Sequence, residues 1–551
     1  GEDQFRIRSY RNASRVISGM SESISRMADD QEKLKKLPGI GESMAEKIIE
    51  IAETGKLRQL EELKKEVPQS LLEVLRLDQM GPQRTKMLHD ALNIQSIDDL
   101  EKAAREGEIE KLEGFGKKTS AKILKEIEKF KKEDRPDRFL LGEVDELISS
   151  LLDHLEKKVD QMTIAGSYRR RKETVGDIDI LATAEDPGQT MEHFVSLEET
   201  REVLSKGESR SSVVLNSGLQ VDLRIVKKRS WGAALLYFTG SKAHSIVLRQ
   251  IAREKQYKLN EYGIFRGKKR LASKTEKAMY EKLGLHYIEP ELREDRGEFK
   301  ASRKNRLPRL ITLEDIRGDL HSHTDATDGR HSLEEMVEAA RKKGYEYCAI
   351  SDHSRRVAMA RGLDEKRLAA QVEQIDELNR DMKGFRILKS IEVDILEDGS
   401  LDLSDEILKE LDLVVCSVHY HRNLSRSKQT SRILRAMENP CFNILAHPTG
   451  RIIQERRVYE IDLEKIMKEA ADRGCFLEIN AAPDRLDLND EHIRMARELG
   501  LRLSISTDAH ALDHLNNMRY GVDQARRGWL EKEDVINTRP WSELKKLLQR
   551  K

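Results

Sequence analysis

The chain has 551 residues, of which 36% are charged and 38% hydrophobic, with 99 basic and 99 acidic side chains. At roughly 150 residues per domain, this length corresponds to about three or four domains. No apolar run reaches the roughly 18 residues that a membrane span needs. The four cysteines are scattered without a CxxC pair, which excludes a disulfide-stapled domain and favours a reducing compartment. We therefore expect a cytoplasmic protein without membrane contact or signal peptide.

The net charge of zero hides an uneven distribution along the chain. Residues 201–310 carry 26 basic and 12 acidic side chains, whereas residues 311–551 hold ten of the 15 histidines in an acidic context. A basic stretch attracts a polyanion such as nucleic acid, although a solvated basic surface would have the same composition. Histidines among carboxylates favour metal ligation in the C-terminal half.

Residues 1–135 predict helices separated by short glycine turns, three of which are similar. Their glycines are Gly39, Gly41, Gly81, Gly114 and Gly116. A glycine turn before a helix lets a phosphate approach the backbone and meet the amide groups of the helix N-terminus. This helix-hairpin-helix pattern predicts DNA-backbone binding that ignores base sequence; the alternative is ordinary turns between helices. The second copy is the weakest, because Asp78 and Gln79 replace the expected Pro-Gly.

Strand-like runs follow at 162–165, 178–182, 213–215 and 221–226, and acidic residues stand on two of them. Asp177 and Asp179 are two residues apart, so their side chains point to the same side of a strand. Asp222, on a neighbouring strand, is the natural third carboxylate. Hard oxygen ligands suit Mg²⁺, and two such ions would activate a 3′-hydroxyl and stabilise departing pyrophosphate.

The residues before this acidic pair suit a triphosphate. Gly166 and Ser167 offer backbone and hydroxyl groups at the end of a strand, and Arg170 in the basic run that follows offers positive charge. A lone pair of aspartates says little, because exposed pairs are common. With the Gly-Ser step and the arginines upstream, the arrangement predicts nucleotidyl transfer.

Three motifs in this half resemble those of the family X DNA polymerases: GSYRR at 166–170, GDID at 176–179 and YFTGS at 237–241. The resemblance spans residues 5–310. It implies gap-filling repair synthesis by a monomer that takes gapped or primer–template DNA and dNTPs, with Mg²⁺ or Mn²⁺. The implied domains are a lyase-like helical domain at 1–77, fingers at 78–137, a palm at 138–228 and a thumb at 229–306.

The same resemblance assigns roles to single residues. It makes the three aspartates metal ligands and adds these nucleotide-site residues: Gly176, Tyr237, Phe238, Gly240 and Arg249. The aromatic pair and Gly240 would line the deoxyribose, and Arg249 would face the templating side. The chain departs from the family at Arg171, where glycine is usual, and at Ser245, where asparagine usually contacts the incoming base.

A lysine in the first hairpin matches the Schiff-base lysine with which some relatives remove 5′-deoxyribose phosphate. Lys47 occupies that position, and such chemistry needs a neutral amine with a lowered pKa. Ser43 stands where lyase-active relatives have a basic residue. A solvated helix lysine is the alternative for Lys47.

After residue 318, apolar strand-like runs alternate with amphipathic helices, which predicts an α/β barrel. Histidines and carboxylates stand at the ends of these runs, where sites gather in such barrels. Mixed ligation of this kind suits Zn²⁺, Mn²⁺ or Fe²⁺. The charged stretch at 293–309 is poor in apolar residues and predicts a linker, and we place the segment between the halves at 307–317.

This half resembles the PHP (polymerase and histidinol phosphatase) domain over residues 318–551. The resemblance implies a distorted seven-stranded (β/α) barrel with two or three metal ions and nine ligands: His321, His323, Asp328, His353, Glu392, His419, His447, Asp508 and His510. It implies a first group of His321, His323, Glu392 and Asp508, a second of Glu392, His353 and His419, and a third of Asp328, His447 and His510. Arg451 and Arg485 are candidates for phosphate contacts.

Taken together, the order of parts resembles bacterial and archaeal family X polymerases with a C-terminal PHP domain. It predicts a nucleoid-associated repair polymerase whose PHP domain is a 3′–5′ exonuclease, with cleavage at abasic sites or of 3′-phosphates as further activities. Two alternatives remain open. The PHP domain could be a non-catalytic, metal-stabilised support that binds DNA, or the palm could be a non-templated nucleotidyltransferase.

Overall fold

The structure, a computed structural model, describes residues 138–549 without interruption. Before residue 138 it describes 9–10, 13–14, 16–17, 24, 27, 30–37, 39–54, 56–60, 62, 71–74, 77, 80–112 and 114–132. The chain divides into two compact units, Gly1–Asp137 and Arg138–Lys551. Within the described ranges, no helix is both long enough and apolar enough to cross a membrane.

The first unit is helical, as the sequence predicts. Its described helices are Gln31–Lys35, Glu42–Thr54, Leu71–Val74, Pro82–Leu92, Ile97–Arg105 and Lys117–Lys132, with a 3₁₀ turn at Ile109–Lys111. A glycine turn directly precedes three of them. Gly39 and Gly114 have positive φ angles of 78° and 86°, whereas Gly81 caps its helix with φ −84°. Gly81 corresponds in sequence to Gly41 and Gly116, and the counterpart of Gly39 and Gly114 is Gln79. The prediction about Asp78 and Gln79 falls outside the described residues.

The second unit begins with a mixed sheet in the strand order β2-β4-β7-β6-β5. The strands of this region are β1 (Phe139–Leu140), β2 (Gln161–Ile164), β3 (Thr174–Val175), β4 (Asp177–Thr183), β5 (Thr200–Lys206), β6 (Arg210–Leu215) and β7 (Gln220–Ile225). The helices are Leu141–Glu156, Gly166–Arg169 and Pro187–Val195. The four predicted strands are confirmed. Strand β5 was not predicted, because it is a mostly exposed edge strand without an apolar face.

Three helices and a small sheet follow the palm sheet. The helices are Trp231–Thr239, Lys242–Glu254 and Glu276–Lys282, and the antiparallel strands are β8 (Lys258–Asn260), β9 (Gly263–Arg266) and β10 (Lys269–Ala272). Short 3₁₀ turns lie at Lys228–Ser230 and Pro290–Leu292. These elements share one apolar core, which Trp529 from the C-terminal barrel joins.

The linker predicted at 293–309 is wrong for most of its length. The segment contains the helix Glu298–Arg303, and Arg293 and Glu298 are fully buried. Arg293 donates to Glu276 at 2.6 Å and to the main-chain oxygen of Ile288 at 2.9 Å. Charged side chains can be buried when they are paired in this way, so a low apolar content does not identify a linker here.

Residues 318–506 contain a seven-stranded sheet in which every neighbouring pair is parallel and the spatial order follows the chain. The strands are β11 (Gly318–Asp319), β12 (Tyr347–Ile350), β13 (Arg386–Asp394), β14 (Leu413–Ser417), β15 (Ile444–Leu445), β16 (Phe476–Asn480) and β17 (Leu503–Ser506). A bridge between Ser322 and Ala509 joins the two edges just beyond the strand ends. The predicted (β/α)7 barrel is therefore confirmed as a nearly closed one.

Helices surround this barrel and complete its core. They are Leu333–Lys342, Glu365–Asp381, Asp405–Leu408, Arg426–Ala436, Leu463–Arg473, Asp490–Glu498, Met518–Arg527 and Trp541–Leu548. The 3₁₀ turns are Leu313–Asp315, Ala358–Ala360, Asp513–Asn517, Lys532–Asp534 and Ile536–Thr538. The barrel, palm and thumb belong to one compact unit. The predicted domain boundaries inside it stay predictions.

We expect Glu276→Gln to destabilise this unit. Glu276 accepts hydrogen bonds from Arg293 and Arg169, each at 2.6 Å, and is buried. Removing one partner of a buried ion pair costs about 3–5 kcal/mol. Burial opposes ionisation of Glu276, but the two arginines outweigh it and lower its pKa to about 2 from the ordinary 4.5. The stabilisation is therefore complete above pH 4.5 and is lost as the pH falls from 4.5 to 2.

Thermal melting at pH 7.5 measures this effect, with the exposed Glu281→Gln as the matched control. We expect a clearly lower melting temperature for the first variant only. Equal melting temperatures for the two variants would show that the buried pair does not stabilise the fold.

Candidate functional sites

The three predicted carboxylates lie on adjacent strands. Strand β4 runs parallel to β7, with Asp177 opposite Gln220 and Asp179 opposite Asp222. Between the two acids of β4, Ile178 is fully buried in the palm core. Because side chains alternate along a strand, all three aspartates lie on the opposite face from this core. The structure thus brings Asp222 beside the pair, as the sequence predicts.

The crowding of these acids perturbs their ionisation. Burial raises the pKa of Asp179 to about 6, and the neighbouring Asp177 adds to the shift. Burial also opposes ionisation of Asp222, but hydrogen bonds from Ser212, Gln220 and Arg210 outweigh it and lower its pKa. The Arg210 guanidinium lies 2.8 Å from Asp222 Oδ2. A divalent cation would relieve the repulsion among the three carboxylates.

The turn after β2 depends on a glycine beside this acidic face. Gly166 has φ +61°, a conformation that L side chains rarely adopt. A Cβ atom at this position would lie 2.9 Å from Asp179 Oδ2. Glycine therefore lets the backbone pass close to the carboxylate, which places the Gly166–Arg169 helix and its Ser167 next to the acids.

A cavity of about 690 Å³ lies beside Asp177 and Asp179. Its lining residues are Arg138, Gly166, Ser167, Arg170, Lys172, Glu173, Thr174, Asp177, Asp179, Tyr237, Phe238, Gly240, Lys242, Ser245 and Arg249. The structure thus collects the predicted nucleotide-site residues from the palm and the following helices, except Gly176, which does not line the cavity. Sequence reasoning missed Arg138 and Lys242, which stand in no motif of their own.

Two further groups of predicted residues belong to the N-terminal unit. The hairpin glycines Gly41, Gly81 and Gly116 stand directly before helices Glu42–Thr54, Pro82–Leu92 and Lys117–Lys132. Lys47 is half-buried, and its Nζ donates to the hydroxyl of Tyr10 at 2.7 Å. Tyr10 was not predicted, since no motif marks it. DNA binding and lyase chemistry stay predictions.

The nine predicted barrel ligands lie together at the C-terminal ends of the strands. Among described residues, three sets of His and carboxylate atoms lie within 4.8 Å of one another. They are His323 with Asp328, His353 and His510; His321 with His323 and Asp508; and His353 with Glu392 and His419. The aspartates of the palm do not converge this closely.

Glu392 stands at the centre of this cluster, and its two oxygens face different histidines. Oε1 lies 3.0 Å from His447 Nε2 and 3.4 Å from His419 Nε2. Oε2 lies 2.7 Å from His353 Nδ1 and 3.6 Å from His321 Nε2. Both oxygens of Glu392 would therefore be available to hold divalent metal ions together with these histidines.

The structure corrects the grouping that the resemblance implied. His447 does not lie with Asp328 and His510, because it contacts Glu392 on the far side of the cluster. Asp328 instead lies 3.4 Å from His353 and 3.5 Å from His510. The third group is therefore Asp328, His353 and His510. The error arose because such groups join residues far apart in sequence, which spacing cannot resolve.

The electrostatics of the cluster suit metal ions. Burial lowers the pKa of His323 to about 3, and the nearby His510 and His353 lower it further, so this imidazole is neutral. Burial also opposes protonation of His353, but Glu392 outweighs it and raises its pKa to about 10. His323 Nδ1 is buried without a hydrogen-bond partner. The neutral imidazole of His323 and the carboxylates around it form a donor set that suits a divalent metal ion, which would take the place of the proton on His353.

A second layer of acids orients these ligands. His321 Nδ1 lies 2.8 Å from Glu478 Oε1, and His419 Nδ1 lies 3.2 Å from Asp394 Oδ1. Carboxylates behind ligating histidines fix the ring orientation and the tautomer. Glu478 and Asp394 were not predicted, although each stands in or at the end of a strand.

The two arginines considered for phosphate contacts differ in their surroundings. Arg485 Nε lies 3.8 Å from Asp508 Oδ2, at the edge of the cluster. Arg451 instead pairs with Glu173 at 2.7 Å and donates to the main-chain oxygen of Arg485. Arg451 is thus engaged by Glu173 and the main chain, whereas Arg485 lies beside a predicted metal ligand. Contact of either arginine with a phosphate stays a prediction.

Five family models match the chain. They are a helix-hairpin-helix domain (residues 1–57), a SAM-like helix-hairpin-helix tandem (71–129), the DNA polymerase beta palm (140–236), the DNA polymerase beta thumb (234–294) and the PHP domain (319–482). The fold and the two clusters thus define a polymerase β-type palm and thumb joined to a PHP barrel.

A relative of the same architecture covers the whole chain. The "DNA polymerase/3'-5' exonuclease PolX" of Bacillus subtilis (strain 168) is 36% identical over 556 residues, which cover 100% of this chain and 96% of that protein. The chain therefore belongs to the bacterial PolX family of family X DNA polymerases.

Other relatives match a shorter part of the chain. Proteins named "Probable phosphatase" from Thermoanaerobacter sp. (strain X514) and Syntrophotalea carbinolica are 28% and 26% identical. Each match covers 40% of this chain and about nine-tenths of the relative, 89% and 90% respectively.

We expect Glu392→Gln to reduce the transition-metal content of the purified full-length protein. Loss of partners behind the ligands already weakens metal sites by about 10–100-fold, so loss of a shared ligand should exceed tenfold. Inductively coupled plasma mass spectrometry after dialysis measures the bound metal. Glu373→Gln, on the exposed side of helix Glu365–Asp381, is the matched control. Unchanged metal content in the Glu392 variant would contradict the assignment.

Proposed function

We propose that this chain is a DNA-directed DNA polymerase that fills short gaps during DNA repair and trims 3′ ends in its PHP domain. The observation that carries the polymerase assignment is the alignment of Asp179 with Asp222 across β4 and β7, beside the cavity. The whole-chain similarity to a protein named polymerase and 3′–5′ exonuclease supports both activities.

At the polymerase site, the three aspartates would hold two Mg²⁺ or Mn²⁺ ions, which when bound supply activation of a 3′-hydroxyl and stabilisation of the departing pyrophosphate. Ser167 and Arg170 line the cavity next to these acids and would orient the triphosphate. Tyr237, Phe238 and Gly240 line the same cavity and would contact the deoxyribose. The perturbed pKa of Asp179 supports a role in cation binding, because a cation favours the ionised form.

The DNA would be held by charge and by the hairpins. The glycine turns stand before helix N-termini, where backbone amides bind phosphate without reading bases. A second basic cavity of about 430 Å³ is lined by Arg210, Arg224, Lys227 and Arg229 near Asp222. Such contacts favour a gapped duplex over a small-molecule acceptor.

At the barrel site, two or three Zn²⁺, Mn²⁺ or Fe²⁺ ions would supply an activated water and stabilise the charge on a phosphate. Glu392 fixes the spacing of the ligands, and Glu478 and Asp394 fix the orientation of His321 and His419. Arg485 would meet the phosphate at the edge of the cluster. Phosphomonoester hydrolysis is a second candidate activity, since two proteins that match 40% of this chain are named probable phosphatases.

We expect the double variant Asp177→Ala, Asp179→Ala to lose primer extension on gapped duplex. The loss should be about a thousandfold, because metal ions stabilise transition-state charge by several kcal/mol. The exposed Asp153→Ala is the control. Full extension by the double variant would place the polymerase site elsewhere. In the wild type, equal use of dNTP and rNTP without a template would favour a non-templated nucleotidyltransferase.

We expect His321→Ala and His353→Ala each to lose 3′-end trimming, because both histidines contact Glu392 within the cluster. Gel analysis of a labelled oligonucleotide with a 3′-hydroxyl or a 3′-phosphate measures trimming and phosphatase activity separately. The exposed His286→Ala is the control. If wild type binds metal but trims neither substrate, the barrel is a metal-stabilised support rather than a nuclease.

A further inference from the structure

A residue of the PHP domain contacts the loop whose Arg170 lines the nucleotide cavity. Arg527, the last residue of helix Met518–Arg527, donates from Nη1 to the main-chain oxygen of Arg170 at 2.6 Å. Arg527 is nearly inaccessible to solvent, with 1% of its side chain exposed. Its Nη1 also lies 3.3 Å from Glu294, the carboxylate that accepts from Arg170 Nε at 3.1 Å. Both the backbone and the guanidinium of Arg170 therefore depend on Arg527.

A second contact from the same helix explains a departure from the family. Arg171 has φ +56°, a conformation that suits the glycine usually found there. Its Nε lies 3.7 Å from Asp523 Oδ1 of the PHP helix, and its guanidinium stacks on the ring of Tyr168. Burial raises the pKa of Asp523 to about 6, so the carboxylate is charged under slightly alkaline assay conditions. The PHP helix thus supplies the partner of the arginine that replaces glycine.

Tyr520, near the start of helix Met518–Arg527, is linked to the same loop through Asp145. Asp145 accepts a hydrogen bond from Tyr168 at 2.6 Å and one from Tyr520 at 2.9 Å. Elsewhere on the cavity wall, Gln454 donates to the main-chain oxygen of Arg138 at 2.7 Å. Tyr520 and Gln454 are PHP residues that lie outside the metal cluster.

We propose that helix Met518–Arg527 of the PHP domain is a positioning element of the polymerase site, which holds the loop at 166–172 so that Arg170 meets the triphosphate of the incoming nucleotide. This inference rests on the proposed polymerase function. It assigns to the PHP domain a contribution to nucleotide affinity that is separate from its own chemistry. Arg527 and Asp523 are positioning residues, since neither lines the cavity.

Arg527→Lys tests the stronger contact. A lysine has one terminal nitrogen, so it cannot make the Nη1 contacts to Arg170 and Glu294 together with the Nη2 contact to Asp490 that fixes the orientation of the guanidinium. We expect the KM for dNTP to rise about tenfold while kcat stays within about twofold, the loss expected for one charge-assisted hydrogen bond. The exposed Asp472→Asn, elsewhere in the PHP domain, is the control and should leave both constants unchanged. A lower kcat with an unchanged KM would overturn the proposal.

Asp523→Asn provides a second test, which remains available if the Arg527→Lys variant does not fold. Without the carboxylate, Arg171 loses its partner, and we expect the KM for dNTP to rise about threefold, as for a partly exposed ion pair. In a chain that also carries Arg171→Gly, the Asp523 change should have no further effect. An equal effect in both backgrounds, or none in either, would show that the pair does not position the loop.

A binding measurement separates the positioning role of the PHP helix from the polymerase assignment. It determines the equilibrium affinity of the full chain for a dNTP on a dideoxy-terminated primer–template. Weaker binding by the Asp523 and Arg527 variants supports the positioning role even if turnover is slow. Wild-type binding by both variants overturns it. A wild-type chain that binds dNTP but extends no primer would instead remove the polymerase assignment and leave the positioning result standing.

Discussion

The polymerase half depends on the register of β4 against β7. Three carboxylates on one face of a sheet repel one another, and only the pairing of the strands holds them together. The register is fixed from the other face, where Ile178 and Val221 are fully buried opposite each other. A slip of one residue would exchange acids for apolar side chains on both faces. The hydrophobic core therefore supplies the free energy that keeps the acids crowded.

In the barrel, too, a strand with a buried core residue places an ionisable side chain in the site, but the surrounding side chains differ. Glu392 lies on β13 next to Val393, which is fully buried in the barrel core, and its carboxylate faces five histidines. At both sites the sheet brings ionisable groups together in a buried place; the palm acids repel one another, whereas the barrel carboxylates hold protons on their histidines, and a divalent cation could bind at either. The two sites differ in their donors, since the palm offers only oxygen whereas the barrel offers nitrogen as well.

Local patterns predicted what depends on a short span of sequence. The alternation of side chains along a strand was enough to place Asp177 and Asp179 on one face. The strand-like runs that alternate with helices were enough to predict the barrel fold. Contacts between distant residues were not accessible in this way, as the misplaced His447 and the unpredicted partners of Arg170 show. The linker predicted at 293–309 failed for a related reason, because the burial of Arg293 depends on Glu276 and not on its neighbours in sequence.

The buried ion pairs also explain why so charged a chain folds with its two sites in one unit. Arg527 is enclosed by Asp490 of the barrel and Glu294 of the thumb region, and Arg296 contacts Asp490 from the other side. A buried pair that loses one partner leaves an uncompensated charge, which costs more than the pair contributes. Separating the barrel from the palm would expose several such residues at once. The charges thus favour a single arrangement of the two sites, in which the loop at 166–172 is held partly by the PHP domain.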